Sequence, residues 1–161
     1  MRKFEKISFK QFKKDVNDDK NLYDSIVIPT RSTKKSAGYD IRSITSGIIK
    51  PHESMIFKTG LKVSMNEDEV FYIFDRSSIG YKYDVVLSNA VGVIDSDFYN
   101  NSDNEGHFSI KLYNHGNKDF EVKVGDRIAQ GVFMKYLTVD NEEEIKKTRS
   151  GGIGSTDKKE E

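Results

Sequence analysis

The sequence contains no cysteine. Disulfide bonds, thiolate metal sites and cysteine nucleophiles are therefore excluded. Histidine is scarce as well: His52, His107 and His115 are the three present, and none has the spacing of metal ligands on a helix. We therefore expect surface histidines and no zinc site.

The chain also lacks net charge. Its 26 lysines and arginines are balanced by 26 aspartates and glutamates, so no long-range field selects a nucleic-acid backbone or an anionic membrane. A single nucleotide needs only a local cluster of cations and stays open as a ligand. No apolar run reaches membrane-spanning length, and the first residues, M-R-K-F-E-K, lack the apolar segment of a secretory signal. These absences predict a cytoplasmic protein that binds neither nucleic-acid polymers nor membranes.

The N-terminal segment is the one clear helix. Ser8 and Gln11 fit a capping box, and Phe9, Phe12 and Val16 form an apolar stripe at helical spacing. Such stripes usually face a core, so the helix is expected to pack on its own domain. The alternative is a docking element for a partner or a neighbouring subunit.

From Ser25 onward the pattern predicts short strands separated by turns. The first candidates are S-I-V-I-P, A-G-Y-D-I-R-S, G-I-I-K, I-F-K-T-G-L-K-V-S-M and V-F-Y-I-F, the last apolar throughout and so buried on both faces. This pattern predicts an all-β sandwich or jelly roll. We assign an N-terminal helical extension to residues 1–24, the β domain to 25–139 and a mobile C-terminal arm to 140–161.

The segment D-R-S-S-I-G, residues 75–80, carries groups that suit a phosphate chain. Arg76 offers a bidentate fork, Ser77 and Ser78 donate hydrogen bonds, and Gly80 allows the backbone to approach closely. The alternative is a surface turn with Arg76 in a weak salt bridge.

The segment N-A-V-G-V-I-D, residues 89–95, follows a short apolar strand. Asn89 and Gly92 suit a tight hairpin, because both tolerate backbone angles that other residues resist. A hairpin exposes main-chain N–H and C=O groups that can read the edge of a base. Asp95 at its exit could orient a water, and Phe98 could stack on a flat ligand or a sugar. An ordinary hairpin capped by aspartates is the alternative.

Three further segments carry polar groups. In A-G-Y-D-I, Asp40 could brace Arg76 or reach a magnesium ion through water, or it could simply close a turn. In G-D-R-I-A-Q, Gln130 could bond a phosphate oxygen, or it could be an ordinary sheet residue. The glycine-rich R-S-G-G-I-G-S-T, residues 149–156, could wrap oxygens with backbone and hydroxyl donors, or it could be a disordered end. It does not fit a Walker-type phosphate loop.

Five segments in this order resemble the trimeric dUTPase family, the deoxyuridine 5′-triphosphate nucleotidohydrolases. They are A-G-Y-D-I, D-R-S-S-I-G, N-A-V-G-V-I-D-S-D-F, G-D-R-I-A-Q and R-S-G-G-I-G-S-T, spread from about Ile26 to Thr156. The resemblance implies a jelly-roll subunit and a homotrimer with three active sites at its interfaces. The C-terminal arm of one subunit would close over a site built by the others. The implied reaction converts dUTP and water to dUMP and diphosphate, with magnesium (Mg²⁺) chelated by the triphosphate, which keeps uracil out of DNA and supplies dUMP for dTMP synthesis.

The resemblance also implies roles for individual residues. Asp95 would activate the water that attacks the α-phosphorus, Asp40 would act on the metal indirectly, through water, and Phe98 would exclude a 2′-hydroxyl. Phe98 stands where tyrosine is usual in the family. The implied substrate-binding residues are Arg76, Ser77, Ser78, Gly80, Asn89, Gly92, Val93, Ile94, Phe98, Ser109, Gln130, Arg149, Gly154, Ser155 and Thr156.

Two features are additions to the family pattern: the N-terminal helix and the long polar loop at residues 99–106. They could form a surface for a regulatory protein, so a dUTPase-like binding module is one alternative function. The other is deamination of dCTP, which needs a catalytic glutamate on the strand after the hairpin. The matching position is Lys111, which cannot serve as that acid and base at neutral pH.

Overall fold

Alternating apolar and polar residues produce eleven short strands in the part of the chain that the computed structural model describes, residues 1–145, Arg149 and Gly151. The strands are β1 (Lys3–Lys6), β2 (Tyr39–Arg42), β3 (Gly47–Ile49), β4 (Ser54–Lys58), β5 (Leu61–Ser64), β6 (Glu69–Asp75), β7 (Val85–Leu87), β8 (Gly92–Asp95), β9 (Ser109–Asn114), β10 (Phe120–Val122) and β11 (Arg127–Lys135). The helices are α1 (Phe9–Asp15), α2 (Lys20–Asp24) and α3 (Ser77–Tyr83), with a 3₁₀ turn at Ser96–Phe98. The mostly-β class is confirmed. None of these helices has the length and apolar character needed to cross a membrane.

The strands form two larger sheets and two ribbons, with antiparallel pairing. One sheet has the order β2-β11-β6-β8 and the other β4-β9-β7, while β3 pairs with β10 and β1 with β5. Phe71 of the first sheet and Phe57 and Leu112 of the second are buried in one continuous apolar cluster. The two sheets therefore share a core, as expected for a sandwich.

The apolar segment V-F-Y-I-F forms β6, an inner strand between β11 and β8, as predicted. Asp95 on β8 lies opposite Val70 near the start of β6. Arg76 directly follows the last residue of β6. Two of the predicted functional residues thus lie near opposite ends of β6, Asp95 on the neighbouring strand and Arg76 just beyond its last residue.

The N-terminal extension is built into the same core. β1 pairs with β5, and the side chains of Ile7 and Phe12 are fully buried. Ser8 caps α1 by accepting a hydrogen bond from the backbone N–H of Gln11. The helix therefore packs on its own domain, the first of the two expectations.

Two strand predictions are wrong. The segment S-I-V-I-P has no strand structure: Ile26 and Pro29 are buried, three residues apart, while Val27 between them is 54 % exposed, so the alternation of a strand is absent. The segment I-F-K-T-G-L-K-V-S-M is two strands, β4 and β5. Gly60 separates them with a φ of 69°, a left-handed conformation that glycine adopts without strain and that ends a strand.

The residues from 76 to 92 also differ from expectation. R-S-S-I-G is not a surface turn, because Ser77 and Gly80 lie in α3. The residue that caps the C-terminus of this helix is Asp84, with a left-handed φ of 55°. Ile79 is buried on this helix, and that burial stabilises a sequence with little intrinsic helical preference.

The predicted hairpin at Asn89 to Gly92 is wrong as well. β7 pairs with β9 while β8 pairs with β6, so the two strands on either side of this turn belong to different sheets. The residue with positive φ is Ala90, at 61°. The turn is a crossing between sheets, which a local sequence signal cannot distinguish from a hairpin.

Candidate active site

A pocket of about 280 Å³ lies beside β8. The residues on it that the sequence had singled out are Asn89, Gly92, Val93, Ile94, Asp95, Phe98, Ser109 and Arg149. The fold thus brings the base-reading segment, the carboxylate, the aromatic ring and one distant arginine to a single cavity.

One wall of this pocket is an unpaired strand edge. In the described part of the chain β8 pairs only with β6 and lies at the end of its sheet. An edge strand offers main-chain N–H and C=O groups to a flat ligand. The polar groups expected from a hairpin are therefore supplied by an extended strand.

Asp95 lies at the mouth of the pocket, where Arg149 contacts its carboxylate. Nη2 of Arg149 donates to Oδ2 of Asp95 over 2.6 Å, and Nε donates to Oδ1 of Asp97 over 2.9 Å. The Asp95 side chain is 51 % exposed. The guanidinium carbon also lies 5.7 Å from the ring centroid of Phe98. The mouth therefore combines a proton acceptor that water can reach with a cation suited to phosphate oxygens.

Phe98 forms an apolar wall next to the carboxylate. Its ring is 8 % exposed and lies at the end of the 3₁₀ turn that follows β8. Its carbonyl oxygen accepts a hydrogen bond of 2.8 Å from the Asn101 side chain. This hydrogen bond fixes the backbone that carries the ring.

The expectation of a surface histidine is wrong for His107, which is 5 % exposed and lines the pocket. Its Nδ1 lies 2.6 Å from Oδ2 of Asp15, and its Nε2 accepts a 3.0 Å hydrogen bond from the Gly60 backbone N–H. Burial lowers the pKa of His107 below its usual value, although the Asp15 carboxylate opposes the shift. A neutral ring with its proton on Nδ1 satisfies both partners.

A second pocket, of about 540 Å³, lies at the other end of β6. Its basic side chains are Arg42, Arg76, Lys82 and Arg127, and Ser78 lies among them. Asp119, Glu121 and Asp126 also line it. This end of the sheet thus carries Arg76 and Ser78, which were predicted to hold phosphate, beside three cations that were not predicted.

Asp40 lies between two of these cations. Arg76 Nε donates to its Oδ1 over 3.1 Å, while Arg127 Nη1 and the Ser32 hydroxyl donate to its Oδ2 over 3.0 and 2.7 Å. Burial alone would raise the pKa of Asp40, but the bonds from Ser32 and Arg127 and the charge of Arg76 outweigh it and hold the pKa below its usual value. Asp40 therefore braces Arg76, one of the roles considered from the sequence.

The same contacts fit a metal role for Asp40 poorly. Oδ2 accepts from both Arg127 and Ser32 and Oδ1 accepts from Arg76, so only one lone pair, on Oδ1, stays available for a metal-bound water. Among residues 1–145, Arg149 and Gly151, no group of three acidic or histidine side chains could hold a metal ion. A triphosphate supplies the hard oxygen ligands that Mg²⁺ prefers.

Other predicted site residues lie elsewhere. Ser77, Gly80 and Gln130 line neither pocket. The Gln130 side chain donates a 2.9 Å hydrogen bond to the Asp75 carbonyl oxygen, which ties β11 to the end of β6. The predicted phosphate-wrapping residues Gly154, Ser155 and Thr156 fall outside the described residues.

Asp95 and Arg76 are far apart within one chain. Arg76 is six residues beyond Val70, the partner of Asp95, which corresponds to about 20 Å along an extended strand. A single chain therefore does not place Asp95 and Arg76 on the same phosphate.

Sequence reasoning missed several residues of these sites, among them the charged or titratable Arg127 and His107. Arg127 lies in the segment G-D-R-I-A-Q, three residues before Gln130, which was predicted to bind phosphate. A cation so close to a predicted phosphate ligand is the sequence signal that could have identified it. His107 follows a polar loop, and no local pattern distinguishes it from an exposed histidine.

Known proteins share this sequence and architecture. The dUTPase family model matches residues 24–157. The deoxyuridine 5′-triphosphate nucleotidohydrolase of Lactococcus lactis subsp. lactis (strain IL1403) is 47 % identical over 132 residues, 81 % of this chain and 88 % of that protein. The enzyme of the same name from Nautilia profundicola is 36 % identical over 143 residues, 86 % of this chain and 96 % of that protein. The crystal structure of dUTPase from Streptococcus mutans superimposes with a TM-score of 0.71 at 39 % identity, covering 86 % of this chain and 99 % of that one. Matches of this extent confirm the jelly-roll fold, and the chain belongs to the dUTPase family.

Proposed function

We propose that this protein hydrolyses dUTP to dUMP and diphosphate. The observation that carries the proposal is Asp95, which stands with Arg149 at the mouth of a pocket walled by a strand edge and by Phe98. The names of the relatives from Lactococcus lactis and Nautilia profundicola support the same reaction.

Asp95 acts as the general base. One carboxylate oxygen accepts a proton from a water, and that water attacks the α-phosphorus of the nucleotide. The bond from the α-phosphorus to the oxygen that bridges to the β-phosphorus breaks, and diphosphate leaves with that oxygen. Arg149 exchanges its contact with Asp95 for the phosphate oxygens, which frees the carboxylate for the water.

The β8 edge and Phe98 select the nucleoside. Uracil presents one N–H between two carbonyl oxygens, a pattern that alternating main-chain groups of Gly92 to Ile94 can match. Cytosine presents a different donor pattern, which leaves main-chain groups unpaired. The Phe98 ring lies under the sugar and leaves no room for a 2′-hydroxyl, so UTP is excluded by contact.

The active protein is a homotrimer in which different copies supply the two halves of each site. The distance of about 20 Å between the Asp95 and Arg76 ends of β6 supports this, because both groups must reach one triphosphate. The cationic pocket around Arg76 and Ser78 of one copy then holds phosphates whose α-phosphorus faces Asp95 of another. The C-terminal arm assigned to residues 140–161 lies for the most part outside the described residues, and its Arg149 contacts Asp95 of the same chain.

The substrate is the magnesium complex of dUTP. The protein residues described here offer no cluster for a metal ion, and Asp40 is engaged by two arginines. The triphosphate holds the ion, and the arginines balance the remaining negative charge.

Neither alternative function gains support. Lys111 lies opposite Ile56 in the middle of a sheet, is exposed and does not line the nucleotide pocket, so it does not replace a deaminase glutamate. The N-terminal helix and the 99–106 loop bond to each other, which gives both a structural role without a regulatory partner.

The test is diphosphate release with dUTP, dCTP, dTTP and UTP in the presence of magnesium. We expect a strong preference for dUTP. Asp95→Asn should lower turnover by about 10³-fold, within the range for loss of a general base, while Asp97→Asn, the matched loss of the other Arg149 partner, should have a much smaller effect. A wild-type protein that leaves dUTP intact, or an Asp95→Asn variant with normal turnover, would refute the proposal.

A further inference from the structure

The N-terminal helix and the loop that follows Phe98 bind one another directly. The Ser8 backbone N–H and hydroxyl donate to the Glu105 carboxylate over 2.8 and 2.5 Å. Lys14 Nζ donates to the Asp103 carbonyl oxygen over 3.0 Å. Together with the Asp15–His107 pair, these contacts join α1 to residues 99–107, and we call the joined unit the clasp.

The clasp holds two walls of the nucleotide pocket. Asn101, which is buried, donates from its side chain to the Phe98 carbonyl oxygen over 2.8 Å and to Oδ1 of Asn104 over 2.9 Å. Asn104 in turn donates to the His107 carbonyl oxygen over 3.2 Å. Phe98 and His107 both line the pocket, so a chain of amide side chains ties its walls together.

The His107 ring has one arrangement that satisfies both of its nitrogens. Gly60 donates to Nε2, so the proton lies on Nδ1 and points to Asp15. The imidazole is 2 % exposed, so water does not replace a lost partner. Asp15 therefore determines both the tautomer and the orientation of a ring in the pocket wall.

We propose that Asp15 is a positioning residue for the nucleotide pocket. It touches no substrate, but it orients His107 and through the clasp holds Phe98 against the nucleoside. This inference rests on the function proposed above. Asp95 is held separately, by the pairing of β8 with β6, so Asp15 governs nucleotide binding and leaves the chemical step unchanged.

The experiment compares three full-length variants with wild type in steady-state assays with dUTP. Asp15→Ala should raise KM about tenfold, the factor expected for one lost buried hydrogen bond, with kcat nearly unchanged. Asp15→Asn keeps an acceptor oxygen for Nδ1 and should restore a KM close to wild type. Asp18→Ala, which removes an exposed ion pair with Lys13 in the same segment, is the matched control and should behave as wild type.

A second readout does not depend on turnover. Amide hydrogen exchange in residues 92–98 should increase in Asp15→Ala and not in Asp18→Ala. An unchanged KM, with faster exchange confined to residues 1–24, would overturn the inference. A wild type without dUTP turnover would refute the proposed function alone, since the exchange measurement still decides the role of Asp15.

His107→Gln covers the case in which Asp15→Ala does not fold. The glutamine amide can accept from Gly60 but does not reproduce the Nδ1 donor to Asp15. We expect the same rise in KM and the same faster exchange in residues 92–98. A His107→Gln variant with wild-type KM and exchange would overturn the inference.

Discussion

The two ends of β6 differ in what they offer a ligand. The Asp95 end has a strand edge, apolar walls from Ile73, Phe98 and Phe108, and a buried neutral histidine. The Arg76 end has a wide cleft lined by charged side chains, with Asp40 clamped between two guanidinium groups. In the proposed function the first end selects by shape and hydrogen-bond pattern, and the second end selects by charge.

In the proposed function neither end is a complete site. A base and a sugar are selected by close contact, which needs rigid walls, whereas a triphosphate is held by cations that repel one another. Asp40 offsets that repulsion, because its depressed pKa keeps it ionised between Arg76 and Arg127. Separation along β6 keeps these cations away from Phe98 within one chain, and the proposed trimer would bring the two ends of different copies together.

The largest expected effect comes from removing the guanidinium group of Arg76. Arg76→Ala should lower kcat/KM for dUTP by about 10³-fold, because a bidentate cation no longer stabilises the charge that develops on the phosphates. Arg76→Lys keeps the charge without the fork and should lose less. If the Asp95 and Arg76 ends act independently, the affinity of Arg76→Ala for deoxyuridine, measured by calorimetry, should equal that of wild type.

A mixing experiment tests whether the ends come from different copies. Arg76→Ala and Asp95→Asn chains, each inactive alone, should regain activity when refolded together, because about a quarter of randomly assembled sites then carry both native residues. Recovery would be absent if each site used Asp95 and Arg76 of the same chain.

A smaller loss is expected at Asp40. In Asp40→Asn the two arginines face a neutral amide, so Arg76 loses its orientation, and kcat/KM should fall about tenfold, as for other residues that orient a functional group. Ser32→Ala removes one hydrogen bond to the same carboxylate oxygen and leaves its charge, so it should change kcat/KM less. An Asp40→Asn enzyme with full activity would show that the clamp is dispensable.

Phe98→Ala tests selection by shape at the Asp95 end of β6. Loss of the ring opens space beside the sugar, so the preference for dUTP over UTP should decrease by about tenfold, the lower end of the range for selection by contact. Phe98→Tyr keeps the ring and should retain the preference. Initial rates with both nucleotides provide the measurement.

The smallest expected effect is on stability. The unfolded chain protonates His107 near its ordinary pKa of 6.5, while the folded chain does so at lower pH because burial disfavours the imidazolium. The unfolded state then binds more protons in the range just below pH 6.5, so the free energy of unfolding should fall as the pH is lowered from about 7.5 to 5.5. His107→Gln should show a shallower dependence in urea titrations. The lowered pKa of Asp15 acts below 3.8, outside this range.

Much of the pocket at the Asp95 end could be predicted because its residues are neighbours in the sequence. Asn89, Gly92, Asp95 and Phe98 lie within ten positions, and one strand brings them to one pocket. The errors came from long-range pairing: a crossing between sheets looks locally like a hairpin, and α3 depends on burying Ile79. His107 was missed because its partners, Asp15 and Gly60, are distant in sequence.

The sequence by itself determined the all-β class, the family and the residue types of the chemistry, because alternation and short ordered motifs are local properties. Tertiary structure decided which of those residues meet. It placed Asp95 and Arg76 at opposite ends of β6, put Asp40 between two arginines and joined α1 to the wall of the pocket. These are contacts between positions far apart in the chain, and they depend on strand pairing within the β2-β11-β6-β8 sheet and on the packing of α1 against the loop before β9.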